Sequence, residues 1–174
     1  MSYVDLFMEE LHSIQTEFNG FKVVPKDTSI LCKIIGAVLW VLTLGQSQFM
    51  TEFHTVLGKT LYVGDSWADT SWLSRWSILR HEGVHLRQAK SCGFGVFWLG
   101  YVIWSFAYLF LLPAGFTLRA MWEREAYAET IRCSQRYGMF FDREHMISLF
   151  TGPQYLYMDP RTERIDKWLR SLGV

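Results

Sequence analysis

The stretch Arg80-His81-Glu82-Gly83-Val84-His85 decides how the chain is read. It has the form H-E-x-x-H within a run of helical periodicity. Four residues of α-helix turn through about 400°, so His81 and His85 fall on one face, roughly 5–6 Å apart. Two neutral imidazoles at that separation can hold one Zn²⁺. Glu82 projects about 100° further round, where a carboxylate can act as general base toward a water at the metal. Short patterns arise by chance, so the weight of this one turns on a third ligand elsewhere in the chain.

Downstream, Met121-Trp122-Glu123-Arg124-Glu125-Ala126-Tyr127-Ala128-Glu129 offers three acids. Glu123 and Glu125 differ by about 200° around a helix, so only one of them can face a metal. Glu125 has Ala128 at i+3 and Glu129 at i+4. The small residue permits close helix approach, and the second acid can accept from the far nitrogen of a zinc-bound histidine. Glu123 has bulky Tyr127 at i+4 instead. The expected ligands are therefore His81, His85 and Glu125, with Glu129 as the orienting group. Glu123 or Glu129 stays open as a replacement for Glu125. The bland alternative is a solvated acidic helix face beside an accidental H-E-x-x-H.

With these residues in place, the region 60–135 resembles the gluzincin metallopeptidases. His81-Glu82-Gly83-Val84-His85 followed by Glu125-Ala126-Tyr127-Ala128-Glu129 is similar to their H-E-x-x-H and later E-x-x-A-D/E. Leu86-Arg87-Gln88 resembles small bacterial and phage members with an H-E-x-x-H-x-x-Q helix and a downstream E-x-E-A-Y. The resemblance implies zinc on His81, His85 and Glu125, water activation by Glu82, and a peptide or protein substrate. Gly83 and Glu129 depart from the usual pattern; glycine inside a helix costs about 1 kcal/mol. The strand near Thr60–Val63 precedes the motif helix as the substrate-pairing edge strand does in that family, where free backbone groups bind an extended peptide. Zinc peptidases also use a donor to the developing oxyanion. His145, Tyr155 and Tyr157 are the candidates, with ordinary packing or surface roles as the alternative for each.

Around this centre the periodicity predicts helices over about 2–18, 30–44, 71–91, 96–112, 116–137, 142–149 and 161–172. A hairpin over 49–64 turns at Gly58-Lys59. The expected fold is mainly α with a small β-hairpin (α+β), a gluzincin-like core carrying the H-E-x-x-H helix in one domain, 1–174. Residues 91–118 contain no charged side chain. A buried central helix over 96–112 is the favoured reading there, and membrane contact through 93–118 the rival. An up-down-up path through that helix returns Glu125 to the level of His85, because advances of about 10 and 13 Å offset a return of about 25 Å.

Composition narrows the function further. Seventeen basic residues balance seventeen acidic ones, and there is no basic run, which argues against nucleic acid as a partner. Cys32, Cys92 and Cys133 are an odd number without metal spacing and read as reduced thiols of a cytoplasmic protein. Eight tryptophans among half-hydrophobic residues imply a dense aromatic core or an apolar surface. Two further functions stay open: an inactive metallopeptidase fold used for assembly, and a membrane protein with an incidental motif.

Overall fold

The computed structural model describes residues 2–110, 116–152 and 157–174. Among them the chain is mainly helical with a small three-stranded sheet, and it divides into two compact units, Met1–Leu86 and Arg87–Val174.

In the first unit, α1 (Tyr3–Glu17) begins at a reciprocal cap. The Ser2 hydroxyl accepts from the Asp5 amide at 3.2 Å, and the Asp5 carboxylate accepts from the Ser2 amide at 2.7 Å. Two otherwise orphaned helix donors are satisfied in this way. Phe7 and Ile14 face the core, and the Phe7 ring meets Trp72 edge-on at 5.3 Å. Ser29 caps α2 (Ile30–Leu42) through the Cys32 amide. Only its Cys32 and Gly36 are fully buried among the described side chains.

The sheet has the order β1-β3-β2. β2 (Thr55–Leu57) and β3 (Thr60–Val63) form the antiparallel hairpin, and Gly58 turns it with φ at +61°. β1 (Lys22–Pro25) adds in parallel on the other side of β3. This corrects the expectation of a free edge at Thr60–Val63. β3 is the central strand, so both rows of its backbone groups are paired and none is available to an extended peptide.

Directly after β1, Lys26 is 1% exposed. Its ammonium donates to the carbonyls of Phe49 (2.5 Å) and Phe53 (2.9 Å) and to the Thr55 hydroxyl (3.2 Å). Burial pulls its pKa down to about 8, opposed by the charges of Cys32 and Glu82. One cation thus ties down the loop that leads into β2.

The helix α3 (Trp72–Cys92) carries the motif and runs through the division between the units. The second unit continues with α4 (Phe97–Phe110), α5 (Phe116–Tyr137), α6 (Arg143–Thr151) and α7 (Thr162–Ser171). Glycines let the end of α3 and the start of α4 touch. A Cβ on Gly100 would sit 1.9 Å from the Ala89 carbonyl oxygen, and one on Gly93 would sit 2.3 Å from the Gly100 nitrogen. Asp142 caps α6 through the His145 amide, and Phe150 packs between Tyr127 (5.6 Å) and Trp168 (5.5 Å). Asp159 is fully buried and accepts from Arg161 Nε at 2.8 Å.

The α4 helix departs from the expected central helix. It buries Gly100 and Trp104 but leaves Trp98, Leu99, Val102, Ile103 and Phe106 exposed. Among the described residues no single helix is long and apolar enough to cross a membrane. The break at Pro113-Ala114-Gly115 lies outside the described residues.

Candidate metal centre

The start of α3 is fixed by Ser71, whose hydroxyl accepts from the Ser74 amide at 3.1 Å. From there the helical register places His81 and His85 one turn apart. Their ring centroids are 5.0 Å apart and their planes are nearly perpendicular at 78°. His85 and Glu82 are buried, and His81 is half-buried. Ser77 and Gln88 are buried on the same helix. Burying this many polar groups is unfavourable unless each is hydrogen-bonded or ligating.

His81, His85 and Glu123 form the group able to hold a metal among the described residues. Each offers one ligand atom, and these atoms lie within 4.8 Å of one another. Glu123 stands where the sequence reading expected Glu125. It is 3% exposed, and Ala120 and Ala126, three residues to either side, are both fully buried. Glu125, two positions on, is exposed, and its Oε2 accepts from Gln88 Nε2 at 2.8 Å. The same Gln88 amide donates to the Trp122 carbonyl at 3.1 Å.

Tyr108 on α4 was not a sequence candidate, yet its hydroxyl donates to Glu123 Oε1. Trp104 stacks on the Tyr108 ring at 4.8 Å, and the Arg119 guanidinium lies over it at 4.8 Å. These two contacts restrain the phenol that bonds the carboxylate. No motif marks Tyr108; the only signal for Glu123 was its flanking alanines.

The donors fit zinc in kind. Two imidazole nitrogens and one carboxylate oxygen leave a fourth position open, the usual make-up of a catalytic zinc site. Tetrahedral zinc with bonds of about 2.0–2.1 Å requires donors about 3.4 Å apart, a modest side-chain adjustment from the observed group.

Glu129 accepts from Arg132 at 2.9 Å. His145 is exposed in the first turn of α6, and Tyr157 is exposed with φ at +52°. Tyr155 lies outside the described residues. His54 takes a structural role: its Nδ1 accepts from the Gly64 amide at 3.2 Å, and burial aided by the Lys26 charge brings its pKa down to about 4.

No family model, curated protein or solved structure matches this chain.

Proposed function

We propose that this chain is a zinc-dependent hydrolase of gluzincin type, acting on a peptide or protein substrate. The observation that carries the reading is the convergence of the two motif histidines with a buried carboxylate from a later helix. An accidental H-E-x-x-H has no reason to meet such a partner. In this reading His81, His85 and Glu123 would hold the ion, and Tyr108, bonded to Glu123, is a positioning residue. Zinc held there would supply Lewis acidity and lower the pKa of a water at the site. Glu82 follows His81 on the same turn and takes the proton from the attacking water. It then returns that proton to the leaving amine. The peptide substrate class rests on the family resemblance. With β3 paired on both sides, an added peptide strand would need an outer edge of the sheet. Pro25 lacks an amide and weakens the β1 edge, which leaves β2 as the better template. The three free cysteines support a cytoplasmic setting.

Glu82→Gln tests the chemistry while keeping the ligands. The variant should bind zinc as the parent does and lose peptide cleavage by at least about 10²-fold. Zinc binding with no Glu82-dependent cleavage of any peptide library would instead favour a fold kept for assembly.

A further inference from the structure

Three arginines of the second unit gather around one buried carboxylate that the hydrolase reading does not use. Asp159 is fully buried, and its amide donates to the Phe150 carbonyl at 3.1 Å. Its Oδ1 accepts from the Arg161 amide at 3.3 Å and from Arg161 Nε at 2.8 Å. Arg164 Nη1 stands 3.7 Å from Oδ2, outside hydrogen-bond distance. Arg124 comes from α5, and its Nε donates to the Ala120 carbonyl at 3.1 Å. It lies in the field of the same group. Burial lowers its pKa most, then the charge of Arg164, with Asp159 opposing and Arg161 adding to the fall.

Two features set this group apart from ordinary ion pairs. The first is its open donors. Arg124 and Arg161 are pinned through Nε, and among the described residues no terminal Nη group of the three arginines makes a hydrogen bond. A guanidinium held at Nε and open at Nη presents donors suited to a carboxylate or phosphate. The Arg161 and Arg164 side chains are 55% and 37% exposed, so a solute can reach them.

The second feature is charge. Three guanidiniums face the single carboxylate of Asp159, which leaves two positive charges in excess. The neighbouring acids do not relieve this. Glu125 bonds to Gln88, and Glu163 is exposed and pairs with none of the three among the described residues. The start of α7, which no side chain caps, adds to the positive potential. A phosphate monoester carries about −1.5 to −2 charge at pH 7 and matches the excess, whereas a carboxylate carries only one.

We propose that Arg124, Arg161 and Arg164 form a binding site for a phosphate monoester, with Asp159 as the buried strut that sets their spacing. Calorimetric titration of the full chain with inorganic phosphate at fixed ionic strength tests this, with acetate as the monoanionic comparison. Phosphate should bind, and acetate should bind at least about tenfold more weakly. Arg164→Gln should weaken phosphate binding at least about tenfold, through loss of a charge-assisted hydrogen bond. Arg124→Gln, on a different helix, should do the same, with circular dichroism confirming that each variant keeps the parent's helicity. His85→Ala should leave the affinity unchanged, which separates this site from phosphate held by a metal. Glycerol 3-phosphate and a phosphoserine peptide, titrated in turn, tell a small ester from a modified chain, and the tighter of the two names the source. A parent chain that binds no phosphate overturns the proposal without reference to any variant. So does an affinity that both arginine variants leave unchanged, or one that His85→Ala abolishes. Equal affinity for acetate overturns the assignment to a dianion.

Discussion

The helices α3 and α4 invert each other. The motif helix is polar in sequence, yet it buries Ser77, Glu82, His85 and Gln88. The α4 helix has no charged side chain, yet it exposes much of its apolar face. Each inversion opposes the partition that water imposes, polar groups outward and apolar groups inward. The comparison teaches that sites are found where burial and polarity disagree, and that the sign of the disagreement names the ligand's chemistry. The buried imidazoles and carboxylate are the donor types that a cation takes.

The sharpest way to break the comparison is to remove its buried acid. Glu123→Ala should weaken zinc binding by at least about 100-fold, measured by competition with a chromophoric chelator. Glu125→Ala should leave it nearly unchanged. The reverse pattern would mean that α5 presents its other face to the ion. A second contrast concerns stability. Leu79 on α3 is fully buried, and Leu79→Ala should cost about 2–5 kcal/mol in denaturant unfolding. Val102→Ala on α4 should fall within about 0.5 kcal/mol of the parent. Equal losses at the two positions would show that α4 is covered in solution.

A third contrast concerns pH and His54. Its pKa is lowered from 6.5 to about 4 in the folded chain. Between those values the unfolded chain binds more protons, so stability should fall as pH drops from about 6.5 to about 4. The loss should be on the order of 2–3 kcal/mol, read from urea midpoints. His54→Gln should flatten that slope. A slope that survives the substitution would assign it to other groups.

Local signals in the sequence carried much of the fold. Ser2 with Asp5, Ser29 and Asp142 mark helix starts through their own side chains, and each caps its helix. Gly138, with φ at +63°, ends α5 as its position implied. The hairpin was legible from Gly58-Lys59 between β-branched runs. β1 was not, because Lys22-Val23-Val24-Pro25 is too short to show alternation and its partner in the sheet lies far along the chain. The surroundings of α4 were not legible either, since an apolar helix has the same sequence whether protein or lipid covers it.

The site divided along the same line. His81 and His85 follow from helical spacing alone, so their pairing could be read directly. The third acid required knowing which side of α5 is buried. Glu123 and Glu125 both have alanines nearby, and the spacing argument favoured the one whose own side chain proved exposed. Ala120 and Ala126 bracket Glu123 at three residues on either side and would have been the better guide. Tyr108 reaches Glu123 through tertiary packing and leaves no mark in the local sequence.

The most direct test of the central claim is a crystal of the zinc-loaded chain with anomalous data collected on both sides of the zinc edge. One peak is expected, bonded to His81, His85 and Glu123 at about 2.0–2.2 Å, with Glu125 outside the coordination sphere. A peak bonded to Glu125 in place of Glu123, or no peak between the two histidines, would contradict it.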